Sequence, residues 1–178
     1  RGFSDGMTVY NPGTIANNNI SSLNEKTLKP AYTVSYDANG GTGDVASQTK
    51  CSGIDLTLAS AGFTRTGYTL DGWATSANGA KVYELGGTYS ANDDLLPLYA
   101  HWTAKTYTVT LNRQGATTGS ESVTATYGAD MRAITPPTML CYTFGGYYTE
   151  TEGGGTQDYK ADGTSTRPWN IDEATTQS

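Results

Sequence analysis

Tyr32-Thr33-Val34-Ser35-Tyr36-Asp37 is written twice in this chain, returning 75 positions later, from 32 to 107, as Tyr107-Thr108-Val109-Thr110-Leu111-Asn112. In the first copy Tyr32, Val34 and Tyr36 alternate with Thr33 and Ser35, the period of two that marks a strand with one buried face. The glycine cluster from Asp37 to Asp44 follows and supplies the positive φ angles of a hairpin, after which Val45 to Lys50 reads as the returning strand. The second copy keeps this order: Tyr107, Val109 and Leu111 lead into Gln114 to Gly119, and Ser122 to Tyr127 returns.

Working outward, Gly67-Tyr68-Thr69-Leu70-Asp71-Gly72-Trp73 recurs 74 positions on as Cys141-Tyr142-Thr143-Phe144-Gly145-Gly146-Tyr147. Tyr68, Leu70 and Gly72 fall on one side of this strand and Thr69, Asp71 and Trp73 on the other. The closing strand is Leu96 to Trp102, with Leu96, Leu98, Ala100 and Trp102 on one face, and Pro97 sits best at its start. The beginning of the chain is a third copy cut in half, since Gly2-Phe3 answers Gly72-Trp73, Val9-Tyr10 answers Val82-Tyr83, and Leu28 to Thr33 answers Leu98 to Thr103. A period of this length means tandem modules. The reading is therefore residues 1–31 as the C-terminal half of a preceding repeat, 32–104 as a complete repeat, and 105–178 as a repeat lacking its closing strand. A chain that begins at Arg1 in mid-module reads as part of something longer.

Between these markers the pattern is less regular. Ser52 to Ala61 leaves a short strand or one helical turn open, and Ala129 to Pro137, ending in Pro136-Pro137, is no long helix. Nothing has helical period over three turns, so the expectation is a mainly β chain with little helix. Leu98 to Tyr107 spans nine positions and Leu28 to Tyr32 four. Neither junction is a Gly/Ser or Pro-rich spacer, which predicts modules stacked as a semi-rigid rod.

The 178 residues carry a net charge of −6. Nucleic acids and anionic membrane surfaces both call for a basic patch, so the balance argues against either as partner. No stretch is apolar for long enough to span a bilayer as a helix. The two cysteines, Cys51 and Cys141, stand at non-equivalent positions of their repeats and read as two thiols, with a bridge between modules as the alternative.

Candidate chemistry is sparse. His101, the single histidine, alternates with Ala100 and Trp102 and reads as a solvent-facing strand residue. Asp37, Asn39 and Asp44 have the oxygen spacing of a calcium loop, but the twelfth-position glutamate is missing and the second copy offers Asn112, Gln114 and Gly119, so a hairpin reads better. Asp93-Asp94 and Glu150-Thr151-Glu152 read as solvated loop charges, because paired carboxylates do chemistry only in a framed cleft. Gly153-Gly154-Gly155 has no following lysine or helix start and is no phosphate loop. Asn19-Ile20-Ser21 is a formal glycosylation sequon. No catalytic residue, metal ligand or cofactor is expected. Of the 13 tyrosines, most lie on inward strand positions, while Tyr148, opposite in facing to Tyr147, is the candidate for stacking on a sugar.

These motifs resemble the internalin-type B repeat, or Listeria/Bacteroides repeat, of large bacterial surface proteins. The likeness rests on Tyr36-Asp37-Ala38-Asn39-Gly40-Gly41, on Thr64 to Trp73, and on Leu98-Tyr99-Ala100-His101-Trp102-Thr103. The second copy departs from it at Arg113-Gln114, Cys141 and Tyr147. The resemblance implies β-grasp-like (ubiquitin/SUMO-like) modules with first and last strands adjacent, at the bacterial surface or secreted, in a stalk or adhesive role without an active site. It also implies that a first strand without its closing partner exposes backbone donors and acceptors. That leads to a second reading, a filament assembled head-to-tail by strand completion, with inter-chain strand contacts at Leu28, Tyr32, Tyr107, Val109 and Leu111 and identical chains as partners. A third reading is a carbohydrate-binding accessory module of a secreted enzyme. Host or surface glycans and proteins are the other partners expected.

Overall fold

The computed structural model describes residues 2–4, 9–10, 29–92 and 97–178, the first two stretches as backbone only. Its strands are β1 (Gly2–Ser4), β2 (Val9–Tyr10), β3 (Lys29–Val34), β4 (Tyr36–Asp37), β5 (Thr42–Gly43), β6 (Gln48–Cys51), β7 (Leu56–Thr57), β8 (Phe63–Thr64), β9 (Tyr68–Ala74), β10 (Thr88–Tyr89), β11 (Leu98–Ala104), β12 (Thr106–Leu111), β13 (Ser122–Thr126), β14 (Gly146–Tyr148), β15 (Gln157–Lys160) and β16 (Thr176–Gln177). Among the described residues the helical content is one 3-10 turn, Thr151–Gly153. The chain is mainly β, and it divides into two units: Arg1–Arg65 with Leu70–Thr103, and Thr66–Thr69 with Ala104–Ser178.

In the first unit β3 lies between two antiparallel neighbours, β1 (Gly2 opposite Ala31) and β6 (Val34 opposite Gln48). After Ser35 the strand continues as β4, which takes β11 as a parallel partner, Leu98 opposite Tyr36 and Tyr99 opposite Asp37. The glycine cluster is more than a simple hairpin. Asn39 and Gly40 both take positive φ, 47° and 83°, closed by Gly41 N–H to the Ala38 carbonyl at 2.9 Å, as a tight Asn-Gly turn requires. The chain then leaves the first sheet, β5 pairing with β8, before returning as β6.

Val34, Leu58, Phe63, Trp73, Tyr89, Leu98 and Ala100 form the core. Trp73 is its centre: fully buried, with Nε1 donating to the Ala59 carbonyl at 2.9 Å and the Tyr36 ring 4.5 Å away. The alternation read along β9 fails at its end, where Gly72, Trp73 and Ala74 are all buried. The cause is local cover: a Cβ on Gly72 would lie 2.3 Å from Lys81 Cδ and 2.5 Å from the Tyr83 carbonyl. Along β11, Leu98 and Ala100 are buried and Tyr99 and His101 half-buried, the alternation expected; Leu96, Asp93 and Asp94 lie outside the described residues.

The second unit repeats the plan. β12 pairs antiparallel with β13, from Thr106 opposite Thr126 to Thr110 opposite Ser122. The turn after β12 has the same form as the Asn39-Gly40 turn with other residues, Gln114 at φ 52° and Gly115 at 91°. β12 also has a parallel partner, β16, with Thr110 opposite Thr176 and Leu111 opposite Gln177. This corrects the expectation that residues 105–178 lack a closing strand: Gln177 stands where Leu98 stands in the first unit. The sequence concealed it because Thr-Thr-Gln replaces an apolar strand. The core here is Val109, Leu111, Ala125, Met131, Ile134, Tyr147, Tyr159 and Trp169. Trp169, 2% exposed, has no counterpart among the repeated motifs.

Candidate binding groove

Four of the residues proposed for inter-chain strand contact, Tyr32, Tyr107, Val109 and Leu111, are engaged within the chain. Val109 and Leu111 are buried in the core, and the edge of β12 at Thr110–Leu111 is taken by β16. Tyr32 sits in β3 opposite Lys50. Tyr107 donates its hydroxyl to Asp172, whose carboxylate also accepts from Lys105 Nζ at 3.0 Å and from Gly67 N–H at 3.1 Å. Those donors, Tyr107 first, hold Asp172 at about 2, while burial and the Asp172 charge push Tyr107 up to about 12. Leu28 and the sequon at Asn19 lie outside the described residues.

His101 is half-buried rather than simply solvent-facing, with Nδ1 2.6 Å from Asp71 Oδ1. Thr103 Oγ1 donates to the other oxygen of the same carboxylate at 2.6 Å. Burial works to raise Asp71, but the Thr103 and His101 hydrogen bonds outweigh it and hold the group below the ordinary carboxylate range. Since imidazole and hydroxyl are each bonded to Asp71, this trio lacks the nucleophile-to-base hydrogen bond of a triad. Asp37, read as a hairpin residue in preference to a calcium ligand, spends Oδ1 on the Asn39 N–H at 2.7 Å. Both cysteines are free thiols.

Tyr148 lies in a groove of about 750 Å³ in the second unit, lined also by Arg113, Gln114, Met139, Tyr142 and Phe144. Three local structures build it. The Asn112 carboxamide caps the turn at Gln114 by accepting its N–H at 3.1 Å, which presents Arg113 and Gln114 together. A second turn, closed by Tyr142 N–H to Met139 O at 3.1 Å, projects Leu140 and Tyr142, 90% and 74% exposed. β14 supplies the floor: Tyr147 is buried and Tyr148 half-buried, the opposite facing that the strand period gives.

The Arg113 guanidinium is fixed, Nη2 donating to Glu121 at 2.7 Å. The Phe144 ring meets Tyr147 nearly edge-on, centroids 5.0 Å apart. Burial raises the Tyr147 hydroxyl, with the Arg113 charge acting in the other direction. A concave site that combines aromatic faces with a held guanidinium, amide and hydroxyl groups suits a flexible polar ligand with apolar C–H faces. The sequence pointed to Tyr148 through its facing. It did not point to Met139–Tyr142, whose exposure depends on where the turn projects.

Two units with the same strand order, each with a parallel pair between its first and last strands, define a tandem array of small β modules. The chain belongs to the Listeria-Bacteroides repeat family, whose domain matches residues 32–101 and again 107–172. It is similar to a protein of Evansella cellulosilytica described as a Gly-rich membrane protein, 33% identical over 87 residues, or 48% of this chain. The chain spans about a tenth of that relative, the match covering 10% of its length. No solved structure matches the chain. Among the described residues no helix is long and apolar enough to cross a membrane.

Proposed function

We propose that this chain is a non-catalytic repeat region of a secreted or surface-anchored bacterial protein, a stalk or adhesive spacer built of β-grasp-like modules. The observation that carries the reading is the doubled match to a repeat family whose members are typical of bacterial surface proteins. The parallel pairing of first and last strands in each unit supports the β-grasp-like assignment. Chain continuity fits a spacer: β3 serves as closing strand against β1 and as opening strand against β6, and between β11 and β12 only Lys105 intervenes.

The adhesive part of this reading rests on the groove around Tyr148, with surface glycans as the partner its aromatic and polar lining suits. Its test is binding of the purified chain to an array of bacterial and host glycans, with Tyr148→Ala as the control. Binding that the substitution removes supports adhesion through the groove; no binding to any glycan leaves the spacer role alone. The filament reading is separated by light scattering over a wide concentration range, where a spacer stays monomeric and a strand-completed polymer grows.

A further inference from the structure

Lys50 is completely buried. It sits opposite Tyr32 in the β3–β6 ladder, the register position that Ala125 fills opposite Tyr107 in the second unit. An ammonium at a place where the sister repeat keeps a methyl group is costly to remove from water unless it gains something there. Its Nζ donates to the Cys51 carbonyl at 2.9 Å and to Asn92 Oδ1 at 3.2 Å. The same Asn92 oxygen accepts the Gly53 N–H at 2.9 Å. The buried lysine nitrogen and the carboxamide of Asn92, an exposed residue that covers it, are thus held together, with a backbone N–H aimed at the oxygen on which negative charge would develop if the carboxamide carbon were attacked.

The geometry points to a self-made isopeptide bond between Lys50 and Asn92. Lys50 Nζ gives up one ammonium proton and attacks Asn92 Cγ with the freed lone pair; the Nζ–Cγ bond forms, Nζ loses a second proton, the Cγ–Nδ2 bond breaks, and Nδ2 leaves carrying both of those protons. The ammonium of Lys50 plus the carboxamide becomes a secondary amide plus an ammonium ion, so charge and hydrogens balance and no co-reactant enters. The product removes the buried charge. It also ties β6 to the segment following β10, a covalent closure of the first unit that resists unfolding under load better than a hydrogen bond. The second unit has Ala125 at this register and would carry no such link.

Intact mass spectrometry of the folded full-length chain tests this directly. The expected mass is lower than that of the sequence by one ammonia, and proteolytic mapping yields one branched peptide containing both Lys50 and Asn92. Lys50→Met, which conserves most of the buried volume, restores the full mass. A wild-type chain of full sequence mass overturns the proposal. So does an ammonia loss that maps to succinimide at Asn39-Gly40 or Asn78-Gly79 instead of to a branched peptide. Both overturning outcomes are read on the wild-type chain, whether or not the variant folds.

Discussion

Gln177 is buried against the carboxylate of Asp158, its side-chain nitrogen donating to Asp158 Oδ2 at 2.5 Å in the amide orientation its neighbours require. Asp158 is itself fully buried and receives Arg167 Nε on its other oxygen at 2.7 Å. The second unit therefore closes its last strand with a polar contact where the first uses Leu98. Replacing Gln177 by leucine, the first unit's choice, leaves Asp158 short of a donor. We expect Gln177→Leu to destabilise the second unit by about 1–3 kcal/mol, read by urea unfolding; an unchanged midpoint would mean that Asp158 is satisfied without Gln177.

Two buried tyrosines in the same core give opposite expectations. The Tyr147 hydroxyl is buried with no hydrogen-bond partner among the described residues, whereas Tyr159 donates to the Arg132 carbonyl at 2.9 Å. Tyr147→Phe removes an unpaired polar group and is expected to be neutral or stabilising. Tyr159→Phe loses a made bond and is expected to cost about 1 kcal/mol. Thermal unfolding of the two variants side by side decides it, and equal losses in both would refute the contrast.

Cys141 occupies the repeat position of Gly67, and both keep positive φ, 66° and 75°. A side chain there is strained, by roughly 1–2 kcal/mol in the left-handed region. Cys141→Gly should therefore stabilise the second unit by about 1 kcal/mol, offset in part by the entropy glycine adds to the unfolded chain. The reverse exchange, Gly67→Ala, should destabilise it, because a Cβ there would stand 2.2 Å from the Tyr127 ring. Midpoints of chemical unfolding that move in the same direction for both variants would count against this account.

The Asp172 cluster gives the molecule an acid-sensitive element. Its carboxyl is lowered from 3.8 to about 2 in the folded chain by Tyr107, Lys105 and Gly67. A depressed folded value contributes stability that is fully present above 3.8 and is lost as pH falls toward about 2. Asp172→Asn is expected to flatten the fall in stability across that window. Carboxyl chemical shifts followed by NMR titration should place the Asp172 midpoint near its lower end; a midpoint at the ordinary carboxylate value would remove the effect.

Much of the fold was legible because the same pattern is written twice. Tyr32 to Tyr36 and Tyr107 to Leu111 have the period of a strand whatever surrounds them, and repetition marks the module length. Gly40 and Gly43, at φ 83° and 111°, lie in the glycine cluster that announced a turn. Tyr148 could be assigned to a face from its place beside Tyr147. What could not be read was anything that required two distant segments to meet. Thr176-Gln177 has no apolar signature, and it becomes a strand because the open edge of β12 supplies backbone partners. The glycine cluster after Asp37 looked like a plain hairpin, and only the pairing of Thr42–Gly43 with Phe63–Thr64 draws it out of the sheet.

The sequence by itself determined that this is a tandem β protein of a particular repeat family, since strand period, turn glycines and module length are local properties carried by adjacent residues. Only the tertiary structure decided which polar groups meet and which of them, Lys50, Gln177 and Asp158, are buried. Lys50 against Asn92, Gln177 against Asp158 and Tyr107 against Asp172 are separated by 42, 19 and 65 positions, respectively. Burial of a charge or an amide is tolerated only where the fold brings a partner to it, and that partner is chosen by chain topology rather than by neighbouring sequence.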